Sequence, residues 1–445
     1  MTDLRDVSWT FASKMANLAV GLVTSIVIVR LLGAEGKGLF SLAVLAAALV
    51  NSFSNLGIGT GSGYLLGRLG IPRDVLAGNW LSLSIMIGFP VAALSILLVP
   101  VVSPGFLPTV SFDLVVIALV SIPFSILLYN LQMLCKADSD FRGYNLLELA
   151  QPALFIAAFP VAVNLFTGSK VLVTLSVYTA SCAAAALVAV LIWARRTRLR
   201  FRLSREIAAP AIRFGIMGHL TNVLGFLNLR LDMLFVNWFL GPAAVGYYSI
   251  SVMIAEKIWY FPDTLAIVLY PKVAHSNDAE ASGYTSTTGR LTILVVGALS
   301  IMVLLLGRPV IRFLYTDQFI PAVMPLFILL PGVLAASLAR VVGSDLLARG
   351  HPHVNMWAGL AALVANMGLN IVLIPQLGIS GAALATTISY SFHLAIILVS
   401  FCRITGVRAR DVMVPASGDI DRFPRAAREL LRRGGRGGDD ERKGR

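Results

Sequence analysis

Long apolar runs, separated by short breaks that contain glycine, proline or charge, follow one another along almost the whole chain. Each run is close to the roughly 20 residues that an α-helix needs to cross a bilayer. Transmembrane β-strands would instead give alternating segments of about ten residues. The pattern predicts an all-α integral membrane protein with about twelve spanning helices, at approximately 9–32, 38–58, 76–102, 112–134, 144–166, 171–194, 214–240, 244–271, 290–306, 322–344, 354–374 and 379–402.

The composition of the chain agrees with an environment of lipid rather than water. Of its 445 residues, 57% are hydrophobic and 13% are charged. Soluble domains are about 45–50% apolar and about 25% charged. Twelve spans leave little sequence for a soluble domain, which excludes most soluble enzyme folds.

The net charge of +13 is concentrated in two segments, 195–213 and the stretch from Arg403 onward. Both flank apolar spans, and basic residues retain such loops on the cytoplasmic side. We therefore expect a multi-pass protein of the cytoplasmic membrane with both termini in the cytoplasm. Contact of the same arginines with lipid headgroups or with a partner is the alternative interpretation, and no nucleic acid partner is expected.

A short internal repeat relates the first two helices to the two that follow the basic segment. Residues 32–42 align with 240–250 at a constant shift of 208, and 134–136 align weakly with 347–349. Six spans per repeat would give the halves one orientation and relate them by a pseudo-two-fold axis along the membrane normal. The predicted organisation is an N-terminal six-helix lobe at 1–194, a basic cytoplasmic linker at 195–213, a C-terminal six-helix lobe at 214–405 and a disordered basic cytoplasmic tail at 406–445.

Three segments, 30–41, 240–249 and 377–386, resemble the polysaccharide-biosynthesis (Wzx-like) branch of the superfamily that also contains the MATE-like multidrug exporters. The resemblance covers about residues 5–405. It implies a V-shaped, twelve-helix flippase that moves an undecaprenyl-pyrophosphate-linked or similar lipid-linked oligosaccharide by alternating access. Membrane lipids, and a glycan polymerase or glycosyltransferases, are the partners expected from it. Lipid II flippases are similar too, but typically carry two additional helices.

Polar side chains within the predicted spans indicate a cavity, because ionisable groups at membrane depth normally face water or a partner. A pyrophosphate-linked sugar needs cations for its phosphates and polar groups for its hydroxyls. On the seventh predicted helix, His219, Asn222 and Arg230 share one face and Asp232 lies nearly opposite. The substrate-cavity candidates are Lys14, Asn17, Asn55, His219, Asn222, Arg230, Asp232, Glu256, Lys257 and Asp263.

Several alternatives remain open from the sequence. Arg230 and Asp232 could be structural groups paired with neighbouring helices, Glu148 resembles a charge at the membrane interface, and Arg340 with Asp345 suggests an ion pair beside a loop. A cation-coupled exporter of the same fold is the alternative function. A membrane-embedded glycan polymerase or ligase is disfavoured by the short external loops. The sequence contains no motif for catalysis, a cofactor or a metal, and coupling to a proton or sodium gradient is left open.

Overall fold

The computed structural model describes residues 4–67 and 69–415, and every regular element in these ranges is helical. A 3-10 helix at Asp317–Ala322 precedes α12. The α-helices are α1 (Leu4–Ser54), α2 (Ile58–Gly67), α3 (Arg73–Phe106), α4 (Phe112–Val120), α5 (Ile122–Ala137), α6 (Phe141–Leu165), α7 (Lys170–Arg196), α8 (Arg205–Leu240), α9 (Pro242–Lys257), α10 (Tyr260–Ala274), α11 (Asp278–Tyr315), α12 (Val323–Ala348), α13 (Pro352–Leu377), α14 (Ile379–Thr405) and α15 (Ala409–Met413).

Ten helical segments of the described chain are long and apolar enough to cross a membrane. The first two predicted spans are continuous in α1. The span predicted at 244–271 is divided between α9 and α10, which have only 16 and 15 residues. The prediction of an all-α, multi-pass membrane protein is confirmed.

The internal repeat corresponds to two copies of the same helix–turn–helix. α1 changes direction at Gly33, whose φ is 69°. α8 and α9 are joined at Gly241, whose φ is 81°. This left-handed conformation is readily available only to glycine. The two glycines are separated by the predicted shift of 208, so the structure confirms this part of the repeat.

A break after α9 corrects the prediction of one continuous helix at 244–271. The backbone N–H of Trp259 donates to the carbonyl of Glu256, three residues earlier, at 3.1 Å. The Trp259 indole is buried and donates to the carbonyl of Val333 at 3.4 Å. Glu256, Lys257 and Pro262 interrupt the apolar pattern beside this turn, but the prediction continued one helix through them.

Two segments predicted to be irregular are partly helical. α7 continues to Arg196 and α8 begins at Arg205, so the connection is 197–204 rather than 195–213. The polar composition conceals the start of α8, because its buried side is supplied by small and apolar residues such as Ala211. The tail predicted at 406–445 contains α15, with Val412 fully buried. Residues 416–445 lie outside the described chain.

The chain forms two compact units, and the boundary between them falls within α8. In the first unit, the early part of α8 packs closely on the segment after α1, because a Cβ on Gly215 would lie 2.2 Å from the carbonyl oxygen of Gly57. These boundaries differ from the lobes predicted at 1–194 and 214–405, whose role in transport stays a prediction. The first unit contains Leu4–Arg230 and Leu240–Gly246, and the second contains Leu231–Phe239 and the chain from Tyr247 onward.

Each unit has its own buried core. In the first unit, the indole of Trp193 on α7 donates to the Leu131 carbonyl of α5 at 3.2 Å, and the indole of Trp80 on α3 donates to Ser62 of α2 at 2.8 Å. In the second unit, Phe401 of α14 packs with apolar side chains of α12, α13 and α15. These cores hold the helices that carry the polar groups described below.

Candidate functional site

A buried carboxylate lies inside the second unit. Asp232, on α8, is 2% exposed. One of its oxygens accepts a hydrogen bond from the backbone N–H of Met233 at 2.8 Å. The other accepts from the Tyr248 hydroxyl of α9 at 2.6 Å and from the Thr386 hydroxyl of α14 at 3.4 Å. The consecutive helices α8 and α9 and the distant helix α14 therefore converge on one acidic group.

Two asparagines of α13 extend this network. The Asn366 amide donates to Thr386 at 3.4 Å, and the Asn370 amide donates to the Asn366 side-chain oxygen at 2.8 Å. Both asparagines are fully buried, and the side-chain oxygen of Asn370 accepts no hydrogen bond within the described structure. We call Asp232, Tyr248, Asn366, Asn370 and Thr386 the Asp232 cluster.

The Asp232 cluster offers oxygen atoms of a carboxylate, hydroxyls and amides at membrane depth. Hard cations prefer such oxygen ligands, and intramembrane acids also serve as proton carriers. Within the described ranges, no three His, Cys, Asp or Glu side chains come together as a metal site. The oxygen donors of the cluster are of the kind that a proton or a hard cation prefers.

A second polar group, in the first unit, joins α1 to α6. Glu148 of α6 is half-buried within a candidate span, and its carboxylate interacts with Lys14 and Asn17 of α1. Lys136, at the exposed end of α5, also acts on Glu148 and lies 5.9 Å from the centre of the Tyr144 ring. The structure thus combines two predicted cavity residues with a carboxylate that the sequence pattern assigned to the interface.

Four further candidates lie in the first unit. On α8, His219 is half-buried and Asn222 is exposed, while Arg230 is half-buried and donates to the Leu229 carbonyl at 3.2 Å. Arg230 forms a further interaction besides this hydrogen bond. Asn55 follows α1, and its buried side-chain oxygen accepts no hydrogen bond within the described chain. The role of these residues in substrate binding stays a prediction.

The remaining candidates surround the break between α9 and α10. Because of that break, Glu256 lies on α9 and Asp263 lies on α10, rather than both on the single helix predicted at 244–271. Asp263 accepts a hydrogen bond from the Arg340 guanidinium of α12 at 2.8 Å. That guanidinium lies 4.3 Å from the centre of the Trp259 ring, a cation–π distance. Lys257 lies 5.4 Å from the ring centre of Tyr260.

A second pair of glycines in the repeat, Gly38 and Gly246, lies where α1 and α9 cross closely within the first unit. A Cβ on Gly38 would lie 1.7 Å from the carbonyl oxygen of Pro242, and one on Gly246 would lie 2.1 Å from that of Ala34. The shift of 208 relates Gly38 to Gly246 and Ala34 to Pro242. The contact is therefore reciprocal, as in an interface with two-fold symmetry. Close backbone approach explains why glycine stands at both positions.

Two salt bridges occupy equivalent positions in the N-terminal and C-terminal halves of the chain. Arg73, the first residue of α3, binds Asp138, which follows α5, at 2.7 Å. Asp278, the first residue of α11, binds Arg349, which follows α12, at 2.7 Å. The positions correspond and the charges are exchanged. Arg349 also binds Asp345 at 2.6 Å, which replaces the predicted pairing of Asp345 with Arg340.

Backbone hydrogen bonds fix the register of this equivalence. The N–H of Asp138 donates to the carbonyl of Leu134, and the N–H of Arg349 donates to the carbonyl of Asp345, both at 2.9 Å. A residue with positive φ follows in each case, namely Ser139 and Gly350. The shift is thus 211, and the predicted alignment of 134–136 with 347–349 is wrong by two residues.

A polar cavity of about 410 Å³ adjoins the ion pair of the first unit. Burial raises the pKa of the Asp138 carboxyl, and the Arg73 guanidinium opposes part of this shift. Arg196 forms an ion pair with Asp140 at the same place. The cavity is lined by Arg73, Asp138, Ser139, Asp140, Trp193, Arg196 and Thr197. Since both arginines are paired with aspartates, we assign the cavity no ligand.

The sequence pattern missed most partners of Asp232. Tyr248, Thr386, Asn366 and Asn370 are uncharged, so they do not interrupt the apolar runs that contain them. One signal was available, because Asn366 and Asn370 are four residues apart and therefore share a face of α13. The sequence alone did not show that α14 packs against this face of α13.

Residues 27–324 match a family model described as polysaccharide biosynthesis protein. The chain belongs to this family. The match spans more than half of the chain and includes both copies of the repeat. It agrees with the resemblance found in the sequence segments around Gly33 and Gly241.

Two curated relatives match parts of the chain. It is 23% identical over 177 residues to a probable low-salt glycan biosynthesis flippase, Agl15, of Haloferax volcanii, which covers 39% of this chain and 38% of the relative. It is 27% identical over 190 residues to an uncharacterized membrane protein of Methanocaldococcus jannaschii, which covers 42% of each. The chain thus matches less than half the length of these relatives.

Solved structures establish the fold over nearly the whole chain. The lipid II flippase MurJ in an inward closed conformation has a TM-score of 0.78 and 12% identity, with 94% of this chain and 92% of that chain covered. An inward-facing multidrug resistance MATE transporter of the MOP superfamily has a TM-score of 0.71 and 15% identity, with 88% and 94% covered. The family member therefore has the MOP transporter fold. Its neighbours are flippases and transporters rather than enzymes.

Proposed function

We propose that this family member is a flippase that moves an undecaprenyl-pyrophosphate-linked, or similar lipid-linked, oligosaccharide across the cytoplasmic membrane by alternating access. The observation that carries the proposal is the group formed by Lys14, Asn17 and Glu148 between spanning helices. A lysine suits a phosphate, while an amide and a carboxylate suit sugar hydroxyls. The family and the flippase relative support the same substrate class.

Transbilayer movement of a fluorescent undecaprenyl-pyrophosphate oligosaccharide in proteoliposomes tests this function. A membrane-impermeant quencher reports the fraction of label that reaches the outer leaflet. We expect the purified chain to accelerate exchange between leaflets, Lys14→Ala to lose most of that activity and Lys14→Arg to keep part of it. The matched control is Lys170→Ala, at the exposed start of α7.

The same vesicles separate the flippase from a cation-coupled exporter. An exporter of the same fold would move a small organic cation such as ethidium and leave the lipid-linked glycan in its original leaflet. Ethidium movement without glycan movement would contradict the flippase proposal. Glycan movement that does not respond to Lys14→Ala would remove the Lys14 group from the substrate site and leave the activity itself supported.

The Asp232 cluster is our candidate for coupling transport to a proton or sodium gradient. Its unpaired Asn370 oxygen and its buried carboxylate support this assignment. We expect an imposed gradient of the coupling cation to accelerate flipping by the wild-type chain, and Asp232→Asn to remove the acceleration. Asp113→Asn, an exposed acid in the first turn of α4, is the control. Unchanged gradient dependence in folded Asp232→Asn would contradict the assignment.

The orientation is part of the proposal. Both termini and the 197–204 connection are expected in the cytoplasm, where glycosyltransferases supply the substrate, and a glycan polymerase would act on the product at the other face. Single cysteines at 103–111 and 241–245, in a cysteine-free background, should react with an impermeant thiol reagent added to intact cells. Labelling of a cysteine at 197–204 from outside would reverse the orientation.

A further inference from the structure

The connection between α7 and α8 follows a fixed path across the surface of α3. The backbone N–H of Arg202 donates to the Ser82 hydroxyl at 3.0 Å, and that of Ser204 donates to the Asn79 side-chain oxygen at 2.8 Å. The carbonyl of Arg200 lies so close to Gly78 that a Cβ there would come within 2.4 Å of it. The α3 residues in these contacts are buried. Side chains of α3 thus hold the backbone of a segment that is not helical.

This fixed segment presents basic and apolar side chains in alternation. Arg198, Arg200 and Arg202 are exposed and form no ion pair within the described chain. Phe201 is 73% exposed and Leu203 is 51% exposed. Exposed aromatic and aliphatic side chains interleaved with arginines are typical of surfaces that lie at a membrane interface. We call residues 198–203 the arginine loop.

The arginine loop lies next to the ends of two predicted spans, where lipid headgroups are expected. α7, a candidate span, ends at Arg196, two residues before the loop. The apolar stretch of α8 was predicted to begin at about residue 214, so the loop and the first turns of α8 lie between two predicted spans. Glu206 is the single acid among residues 195–213, which hold seven arginines. Anionic lipid phosphates complement this charge.

We propose that the arginine loop is a binding surface for anionic phospholipids, in which Arg198, Arg200 and Arg202 contact headgroup phosphates and Phe201 and Leu203 insert between the headgroups. Basic residues that serve only to orient a span need charge but no defined backbone path. The hydrogen bonds that the backbone N–H groups of Arg202 and Ser204 donate to Ser82 and Asn79 define this path, and a defined path distinguishes a binding surface from a topology signal.

Binding of phosphatidylglycerol and phosphatidylcholine with identical acyl chains, measured by native mass spectrometry of the purified full-length chain, tests the proposal. We expect the wild-type chain to prefer phosphatidylglycerol. In the triple variant Arg198→Gln/Arg200→Gln/Arg202→Gln, the preference should fall about fivefold for each arginine removed. The control variant removes the same charge elsewhere, with the exposed residues Arg403, Arg408 and Arg410 changed to Gln. An equal loss in the control, or no loss in the loop variant, would overturn the proposal.

A second variant separates a defined surface from simple charge. Ser82→Ala keeps every arginine and removes the acceptor for the Arg202 N–H. We expect it to lower the preference for phosphatidylglycerol by several fold without changing the sidedness of cysteine labelling. A preference equal to that of the wild-type chain would show that the fixed path is unnecessary and would overturn the proposal. The outcome is independent of flippase activity, because no lipid-linked glycan is present.

Discussion

Replacing Arg349, the residue after α12, should destabilise the protein much more than replacing Arg73 in the equivalent ion pair beside α5. Arg349 is 10% exposed, and its partner Asp345 is 0% exposed. Arg73 is 63% exposed, and its partner Asp138 is 12% exposed. Arg349→Gln therefore leaves a buried carboxylate without its cation. Arg73→Gln removes a side chain that is already mostly in water.

The magnitudes follow from this difference in burial. Removing one partner of a buried ion pair costs about 3–5 kcal/mol. The Thr285 hydroxyl still donates to Asp345 after the change, so we expect the lower end, about 3 kcal/mol, for Arg349→Gln. An exposed pair contributes about 0–1 kcal/mol. At about 2–4 °C per kcal/mol for a unit of this size, Arg349→Gln should lower Tm by about 6–12 °C and Arg73→Gln by at most about 4 °C.

Thermal unfolding of the purified full-length proteins in one detergent, followed by tryptophan fluorescence, measures both changes. The double variant Arg349→Gln/Asp345→Asn provides the decisive control, because it removes the buried charge together with its partner. Most of the lost Tm should return in it. Equal losses for the two single variants, or no recovery in the double variant, would refute the assignment of the cost to an uncompensated buried carboxylate.

Four further substitutions test the packing and the pH dependence of stability by the same measurement. Gly38→Ala should lower the free energy of unfolding by about 1–3 kcal/mol, because its Cβ would overlap the Pro242 carbonyl. The control Gly21→Ala, with nothing within 4 Å of the added Cβ, should stabilise α1 by up to about 1 kcal/mol. Equal effects of the two substitutions would contradict the close crossing of α1 and α9. Val412→Ala should cost about 2 kcal/mol if α15 is docked as described, and no loss of Tm would argue against docking. Because burial raises the pKa of Asp138, its contribution to stability is greatest below its ordinary value and declines as pH rises through the higher folded-state pKa. Asp138→Asn should therefore flatten the dependence of Tm on pH just above the ordinary pKa of an aspartate, and an unchanged profile would contradict the shift.

The sequence was sufficient for the fold class because membrane spans are defined by composition over about 20 residues. It was also sufficient for the turns at Gly33 and Gly241, where the conformation itself demands glycine. It was misread at Trp259, where Glu256, Lys257 and Pro262 interrupt the apolar run but the prediction continued one helix through them. The start of α8 was concealed for the opposite reason, since arginines on its exposed side outweighed the apolar residues on its buried side.

Within the site, charge was a good guide to single residues and a poor guide to partners. Asp232 stood out because an acid within a span requires an explanation. Its hydrogen-bond partners Tyr248 and Thr386 did not stand out, because neither is charged and a threonine hydroxyl can bond to its own helix backbone at little cost. Glu148 was placed at the interface by its position near a helix end, and only the packing of α1 on α6 brings it to Lys14.

The exchanged ion pairs show a limit of repeat detection that has a physical origin. A sequence alignment scores residue similarity. It penalises Arg73 aligned with Asp278, and Asp138 aligned with Arg349, because the charges are opposite. The energy of an ion pair, however, depends on distance and burial and is indifferent to which helix supplies the cation. The register was therefore recoverable only from the backbone, where Asp138 and Arg349 make the same hydrogen bond at the same helix end. Equivalence of interactions, rather than of residues, relates these two parts of the chain.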